Sequence, residues 1–249
     1  MENLTFILPV HIYDKVLLDN VLRNLSQFDC RTILVGPQNV YDSLVRDGIS
    51  VNFDFIANND NTDFCSQVNL GVRECSTEYF TIVEYDDEFY PKWLDNFKKY
   101  SQVYDASAYL TIMEIMNDKK ELVTINNELA WSTSFVNDLG YIDMDALNSF
   151  YDFNIVGGVF KRDAFIEVGG LKTSMDIAST YEFLMRFVDN NNRVFVIPKL
   201  GYRHMMGRDG SFMSESKKRL TQEHGEWLIN TAKEEMKYKE DRKLKFTEN

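Results

Sequence analysis

Short, continuously apolar runs alternate along the first 90 residues with segments whose apolar side chains recur every three or four positions. The apolar runs lie at residues 5–10, 31–35, 51–56 and 79–83, and they predict strands that are buried on both faces. The periodic segments between them, residues 14–28 and 63–75, predict helices. Strands that alternate with helices predict an α/β domain with a mostly parallel sheet flanked by helices.

The second half of the chain is less regular. We predict helices at 91–104, 162–168 and 180–188, and strands at 106–115, 154–160 and 193–197, whereas residues 117–150 show no clear period. From Ser214 onward the chain is rich in Lys and Glu, which predicts a solvated helix docked by one narrow stripe. No linker rich in Pro, Gly or Ser interrupts the chain. We therefore expect one domain, residues 1–213, with a charged helical extension, 214–249, packed on it.

Composition and charge narrow the classes of partner. The chain has 249 residues, 44% of them hydrophobic, which is enough for one large core. Its net charge is −12, and residues 214–249 hold nine basic and eight acidic residues, so residues 1–213 carry −13. A body this acidic repels phosphate backbones, which disfavours nucleic acid as a partner. An anionic ligand would need a cation to mediate its binding.

Cysteine usage and the first residues of the chain indicate a cytoplasmic protein. Cys30, Cys65 and Cys75 form no CxxC pair and no zinc spacing, and a sparse, odd count is typical of reduced thiols. The opening sequence MENLTFILPV lacks the basic region and the long apolar core of a signal peptide. No apolar run approaches the ~20 residues of a transmembrane helix, so we expect no membrane span.

An acidic run follows the fourth predicted strand. Glu84, Asp86, Asp87 and Glu88 place four carboxylates in five positions, at the strand end where open α/β sheets bind their ligands. Crowded carboxylates raise one another's pKa unless a cation compensates them. Oxygen ligands suit Mn²⁺ or Mg²⁺, and either ion would let an acidic protein hold a diphosphate. The alternative interpretation of an isolated acidic run is a solvated turn.

The order of motifs around this run resembles the inverting family 2 glycosyltransferases, which have the GT-A fold. In that family a helix carrying N-x-G precedes a strand ending in D-x-D; here SQVNLGVREC (66–75) precedes EYFTIVEYDD (78–87). Asn69 and Gly71 match N-x-G, and Glu84 to Asp86 match D-x-D with Glu first. The resemblance implies a metal bound by Asp86 and a donor ribose near Glu84. The residues that it implies for donor binding here are Pro9, Val10, His11, Asn69, Glu84, Tyr85 and Asp86. The alternative for His11 is a surface residue before a helix.

The resemblance covers residues 4–212. GGVFKRDAFIEVGGL (157–171) is similar to the family segment that lines the acceptor side, which implies Gly157 and Gly158 there, with a bulge as the alternative. YRHMMGRDGS (202–211) is similar to the loop that folds over the donor and supplies a metal-binding His. It implies His204 as a metal ligand, with a purely structural His as the alternative. It also implies contacts of Arg208 and Ser211 with the diphosphate.

Two departures from the family pattern leave the nucleotide base and the catalytic base open. The second strand of the family usually ends in paired aspartates, one of which contacts the nucleotide base, but Gly36-Pro37-Gln38 stands here. The later helix usually begins E-D-x-[D/E]-x-x-x-R, and Thr180 occupies the position of its catalytic aspartate. Asp176 and Glu182 are the carboxylates near this helix start, so both are candidates for the catalytic base.

Glu182 also has structural explanations. Its spacing from Ser179 suits a capping box, and its spacing from Arg186 suits an i,i+4 ion pair. The apolar stripe of this helix points away from Glu182, which predicts a side chain outside the core.

The sequence as a whole favours a metal-dependent enzyme that moves a sugar from a nucleoside diphosphate donor to a hydroxyl of a glycan or another acceptor, with inversion. One alternative is a catalytically inactive nucleotide-sugar or glycan-binding module of the same fold, which the Thr180 departure favours. Another is a sugar-phosphate nucleotidyltransferase, although residues 9–14 lack the usual Gly-rich loop. Dehydrogenases and P-loop kinases are disfavoured because GxGxxG and GxxxxGK[ST] are absent.

Overall fold

A computed structural model describes residues 3–49 and 53–247, and within these ranges the chain forms one ten-stranded sheet with helices packed on it. The strands are β1 (Leu4–Pro9), β2 (Arg31–Gly36), β3 (Asp54–Ala57), β4 (Tyr79–Ile82), β5 (Glu88–Phe89), β6 (Ala108–Met116), β7 (Leu122–Asn126), β8 (Tyr141–Ile142), β9 (Val159–Lys161) and β10 (Val194–Met205). The α-helices are α1 (Lys15–Leu25), α2 (Gln38–Arg46), α3 (Phe64–Glu74), α4 (Trp93–Ser101), α5 (Met144–Ser149), α6 (Arg162–Glu167), α7 (Ser179–Asp189), α8 (Phe212–Arg219) and α9 (Gln222–Thr247). Short 3₁₀ helices span Glu128–Trp131 and Thr173–Ala178.

The sheet is parallel over its N-terminal half and mixed beyond it. Its strand order is β3-β2-β1-β4-β9-β6-β10-β5, with β7 beside β6 and β8 beside β10. The strands from β3 to β4 pair in parallel, as do β6 and β10, whereas β9 runs antiparallel between β4 and β6. The carboxyl ends of β1, β4, β6 and β10 therefore meet at one edge, where sheets of this kind bind their ligands.

The buried strands and the first helices lie where the sequence predicts them. Every residue of β1 is buried, as expected for a strand covered on both faces. Of the strand predicted at 51–56, residues 54–56 lie in β3, and residues 51 and 52 lie outside the described ranges. The prediction that this strand is buried on both faces is wrong, because β3 lies at the edge of the sheet and is partly exposed. Helix α2 was not predicted, and residues 117–150 hold β7, β8, α5 and a 3₁₀ helix.

The last strand is longer than predicted. The apolar run at 193–197 predicts a strand that stops before Pro198, but β10 continues to Met205. Its register against β6 shifts between residues 197 and 202, because a proline has no N–H to donate to the ladder and an irregularity accommodates it. His204, which the resemblance places in a loop, therefore lies on a strand of the sheet.

Two glycine sites serve different purposes. Gly169 and Gly170 follow α6 with φ values of +90° and +67°, which glycine adopts without strain and which end the helix. Gly71 lies within α3, where a Cβ atom would come 2.6 Å from Ile7 Cγ2 and 3.0 Å from Val35 Cγ2. Helix α3 therefore packs this closely on β1 and β2 only because residue 71 has no side chain.

The charged C-terminal segment packs on the same body. Helix α9 contacts α7 and buries Leu228, Ala232 and Met236, whereas Trp227 is 58% exposed. The first of the two helices in this segment already begins at Phe212. None of the described helices combines the length and the apolar composition needed to cross a membrane.

We expect Gly71→Ala to lower the free energy of unfolding by about 1–3 kcal/mol, because the added methyl overpacks the contact with Ile7 and Val35. In an open helix the same change would stabilise by about 1 kcal/mol, so the sign of the effect is diagnostic. Urea unfolding measures it, with Arg73→Ala, an exposed position on the same helix, as the control. A Gly71→Ala protein as stable as the wild type would contradict the close packing.

Candidate functional site

A tight turn brings Glu84 and Asp87 together at the carboxyl end of β4. The Asp87 amide donates to the Glu84 carbonyl at 3.1 Å, which closes a four-residue turn. The Glu84 amide in turn donates to the hydroxyl of Tyr202 on β10, also at 3.1 Å. The first and fourth residues of such a turn come close, so two of the four carboxylates in the acidic run are held side by side.

Strand β10 adds a histidine to these two carboxylates. One ligand atom from each of Glu84, Asp87 and His204 lies within 4.8 Å of the others. Asp87 is 1% exposed; its Oδ2 lies 2.9 Å from His204 Nδ1, and its Oδ1 accepts from the Met205 amide at 2.8 Å. These three residues form a candidate divalent-metal site, and the name metal cluster is used below for this set of three side chains. The sequence predicts Asp86 and His204 as metal ligands. His204 belongs to this site, whereas Asp87 occupies the place expected for Asp86.

The charges of this metal cluster are strongly coupled. Burial, with repulsion from Asp87 and Asp86, raises the pKa of Glu84 to about 8 against the attraction of His204 and Arg208. Burial acts to lower the pKa of His204, but Asp87, Glu84 and Asp86 outweigh it and raise the value to about 10. Both groups therefore hold a proton at neutral pH, and a divalent cation would compete with those protons.

Asp86 faces an arginine instead of the metal cluster. Its Oδ2 lies 2.6 Å from Arg208 Nε, and the guanidinium lies 4.9 Å from the centre of the Tyr85 ring. Burial and the neighbouring Asp87 raise the pKa of Asp86, although Arg208 and His204 act to lower it. Arg208 Nη2 and the Tyr85 hydroxyl are buried without a hydrogen-bond partner among the described residues. Such unpaired groups mark a place where a polar ligand can bind.

His11 lies next to this arginine at the end of β1. Pro9 and Val10 are buried, so His11 is the first residue after the strand that reaches the site surface. Its ring packs 4.0 Å from the ring of Phe212, and its Nε2 lies 2.9 Å from the Gly210 carbonyl. Burial lowers the pKa of His11, and its Nδ1 is buried without a partner in the described part of the chain. The site thus offers an aromatic surface beside the metal cluster.

Asn69 and Ser211, both expected at the donor, hold the backbone instead. Asn69 Nδ2 donates to the Leu171 carbonyl at 2.8 Å, and its Oδ1 accepts from the Leu171 amide at 2.9 Å. Ser211 Oγ accepts from the Ser214 amide at 3.1 Å and caps α8. Asn69 also lines a polar cavity of about 180 Å³. Both ends of its amide are nevertheless engaged by the segment that follows α6.

Gly157 and Gly158, expected on the acceptor side, are buried among protein atoms. A Cβ atom at Gly157, which has φ of +70°, would come 2.5 Å from the Tyr202 ring. At Gly158 it would come 2.7 Å from a methyl of Leu110. The absence of side chains at these two positions is therefore explained by packing.

Glu182 is buried in an ion pair. Its two oxygens accept from Arg186 Nε and Nη2 at 2.8 and 2.7 Å, and Lys172 Nζ lies 2.8 Å from Oε1. Burial acts to raise the pKa of Glu182, but these two cations outweigh it and lower the pKa. Arg186 also donates to the carbonyls of Val168 and Gly170.

These contacts confirm the predicted i,i+4 pair and correct two other expectations for Glu182. The side chain is 0% exposed and thus lies inside the core, because the Arg186 guanidinium compensates its charge there. The predicted capping box is absent: Ala178 precedes the helix as its N-cap, and no side-chain hydrogen bond caps this end. Glu182 therefore helps to hold the turn that follows α6 against helix α7.

Two other carboxylates remain accessible. Asp176 lies in the 3₁₀ helix that precedes α7, with φ of 41° and ψ of −116°, a strained conformation for a residue with a side chain. Its carboxylate lies 3.8 Å from Arg219 Nη2. Asp152, which the sequence analysis does not single out, has a raised pKa because desolvation outweighs the attraction of Lys217 and His204. Asp152 is exposed, and the charge of His204 acts on it.

The chain matches no protein-family model, and no curated protein matches it. Solved structures do match. TarS from S. aureus, solved with UDP-GlcNAc, has a TM-score of 0.64 and 15% identity over 86% of this chain and 61% of the TarS chain. The mannosyltransferase PcManGT from Pyrobaculum calidifontis, solved with GDP-Man and Mn²⁺, has a TM-score of 0.60 and 13% identity over 84% of this chain and 58% of its own.

The chain therefore spans about three-fifths of the length of either structure. At these identities the likeness concerns the fold and not the substrates. It confirms the α/β fold class predicted from the sequence: the chain shares the GT-A fold of these glycosyltransferases.

Proposed function

We propose that this chain is a metal-dependent glycosyltransferase that moves a sugar from a nucleoside diphosphate to an acceptor hydroxyl. The observation that carries the proposal is the cluster of Glu84, Asp87 and His204 at the carboxyl edge of a GT-A sheet. Arg208, with a buried and unpaired N–H group, lies beside it. A cation site next to a guanidinium suits the two charges of a diphosphate, which an acidic body would otherwise repel.

The residues of the cluster fit Mn²⁺ better than Mg²⁺. Carboxylate oxygens suit both ions, but Mg²⁺ favours an all-oxygen octahedron, whereas later ions of the first transition row accept imidazole more readily. Two carboxylates and the His204 imidazole supply such a mixed set. A bound ion would neutralise the charge that develops on the departing diphosphate.

Arg208 and His11 have separate roles at the donor. The Arg208 guanidinium is held near the cluster by Asp86, and its unpaired Nη2 can donate to a diphosphate oxygen. The ring of His11 lies edge-on to that of Tyr85, with 5.9 Å between the ring centres, and offers a face on which a nucleotide base can stack in place of Phe212. Stacking of this kind discriminates weakly between bases, since every base has a π-face.

For the proton acceptor we propose Asp152, with Asp176 as the second candidate. A raised pKa suits a general base at neutral pH, and Asp152 lies within the electrostatic reach of His204. Glu182 is poorly suited, because Arg186 and Lys172 occupy both of its oxygens and lower its pKa. Its role in this proposal is to hold the segment between α6 and α7 in position.

A second candidate function is a nucleotide-sugar-binding module without turnover. It is favoured by Thr180 at the position of the family's catalytic aspartate and by the ion pairs that engage Glu182. Both candidates require donor and metal binding, so only turnover separates them. Release of free nucleoside diphosphate from UDP-GlcNAc or GDP-mannose in the presence of Mn²⁺ supports the enzyme, whereas saturable binding without release supports the module.

The metal assignment predicts a contrast between two adjacent aspartates. Asp87→Asn should lower Mn²⁺ affinity by more than about 100-fold, since even partners that only orient a ligand contribute about 10–100-fold. Asp86→Asn should cause a smaller loss of metal affinity and a larger loss of nucleoside diphosphate affinity, because it frees Arg208. Electron paramagnetic resonance of free Mn²⁺ measures the metal affinity, and calorimetry with UDP and GDP measures the nucleoside diphosphate affinity. If Asp86→Asn lowered the Mn²⁺ affinity more than Asp87→Asn does, the metal ligand would be Asp86 and not Asp87.

The pKa values predict that Mn²⁺ binds more tightly as the pH rises. Glu84 and His204, with pKa values of about 8 and about 10, are protonated at neutral pH and must lose their protons to a metal. The affinity should rise about tenfold per pH unit for each proton displaced between about pH 6 and about pH 8. Calorimetry in buffers of different ionisation enthalpy counts the released protons. An affinity independent of pH would contradict metal binding by these groups.

Three variants test the proton acceptor. Asp152→Asn should lower kcat for nucleoside diphosphate release by about 100-fold or more while donor affinity stays near that of the wild type. Asp176→Asn should change kcat much less. Glu182→Gln should instead lower the free energy of unfolding by about 3 kcal/mol, because Arg186 and Lys172 lose their counter-charge. A stable Glu182→Gln protein without turnover would restore Glu182 as the base, and full turnover in all three would exclude them all.

A further inference from the structure

The turn that carries Glu84 and Asp87 leads directly into β5, which is only two residues long. Strands of globular proteins usually have about three to ten residues, so a ladder this short specifies its own register weakly. On one face of the sheet, Phe89 packs against Tyr202, with 4.8 Å between the ring centres. The side chain of Glu88 points to the other face, and its contacts there help to decide where the acidic turn lies.

The register of β5 on β10 sets two charged pairs next to each other on opposite faces of the sheet. Glu88 pairs with Arg203 in the antiparallel ladder. One step further along, the same register brings Asp87 opposite His204, and Asp87 Oδ2 lies 2.9 Å from His204 Nδ1. Because successive side chains of a strand point to opposite faces, the Glu88–Arg203 pair lies behind the Asp87–His204 pair. A one-residue slip of β5 would turn Asp87 away from His204.

The Arg203 guanidinium joins β5 to β6 across the end of β10. Its Nη1 lies 3.0 Å from Glu88 Oε2, and its Nε lies 3.3 Å from Glu114 Oε2 on β6. Its Nη2 donates to the Tyr90 hydroxyl at 2.9 Å, and that hydroxyl donates to Glu114. The side chains of Arg203 and Glu114 are 33% and 20% exposed, so solvent screens this network less than an ion pair on the open surface. All three guanidinium nitrogens are engaged, which the single ammonium of a lysine cannot reproduce.

We propose that Arg203 is a positioning residue for the metal cluster. By holding Glu88 on the opposite face of the sheet, it keeps Asp87 beside His204 in the arrangement that receives the ion. This role rests on the proposed function, because it requires the cluster to bind a divalent cation. Arg203 itself faces away from the ion, so it acts only through the position of the strands that carry the ligands.

Arg203→Met should weaken Mn²⁺ binding by about 10–100-fold, the usual contribution of a partner that orients a metal ligand. The sign of the effect is diagnostic: through its charge alone, loss of a cation near the cluster would strengthen the binding of a divalent ion. Arg203→Lys should recover little of the loss, because an ammonium lacks the planar fork that spans Glu88 and Glu114. Electron paramagnetic resonance of free Mn²⁺ measures these affinities.

Arg193→Met is the matched control. Arg193 precedes β10 at its opposite end, where it pairs with Asp138 at 3.5 Å and lies over the ring of Tyr141. The change removes an ion pair and a ring contact of the same kind, so it should leave the Mn²⁺ affinity unaltered. Urea unfolding of both Met variants separates a loss of metal affinity from a loss of overall stability.

A measurement without metal separates this role from the proposed function. In protein treated with a chelator, the proton of the Asp87–His204 hydrogen bond should give a downfield NMR signal at low temperature, identified by its absence in His204→Gln. Arg203→Met should shift or remove this signal, and Arg193→Met should not. An unchanged signal in Arg203→Met would overturn the positioning role, whatever its Mn²⁺ affinity. A wild-type protein that binds no Mn²⁺, with the signal still lost in Arg203→Met, would overturn the proposed function and leave the positioning of His204 in place.

Discussion

The repulsion between carboxylates at the end of β4 is the constraint on which the rest of the site depends. Three acidic side chains within four positions, Glu84, Asp86 and Asp87, are held in a partly or fully buried turn, where each uncompensated charge is expensive. Two basic side chains, one at the end of β10 and one in the loop after it, compensate this negative charge. His204 meets Asp87, and Arg208 meets Asp86, so each of the two neighbouring aspartates has a cationic partner of its own.

The fold was largely predictable because its strands are buried on both faces. A strand such as β1 is almost entirely apolar because both of its faces are covered. Prediction failed where an element buries only a narrow face or where its pairing with a neighbouring strand is irregular. Helix α2 buries only Val40 and Leu44, which is too weak a period to detect. Strand β10 runs on through a proline because irregular pairing with β6 absorbs the missing hydrogen bond.

The candidate site was less predictable, because side-chain direction depends on contacts between distant parts of the chain. The acidic run was evident from the sequence, but only the turn between Glu84 and Asp87 decides which carboxylates approach His204. Glu182 was expected outside the core, and the Arg186 guanidinium reverses that expectation by making a buried carboxylate tolerable. Asp152 lies just beyond a stretch without periodicity and becomes notable only through its raised pKa, which desolvation causes.

The contact between Gly157 and Tyr202 has a consequence for how this chain can evolve. The Tyr202 ring fills the space that a side chain at position 157 would need, and its hydroxyl accepts the Glu84 amide that begins the acidic turn. A larger residue at 157 would require a smaller one at 202, which would release that amide. A side chain at position 157 and the ring at position 202 therefore compete for one volume, so we expect these two positions to change together.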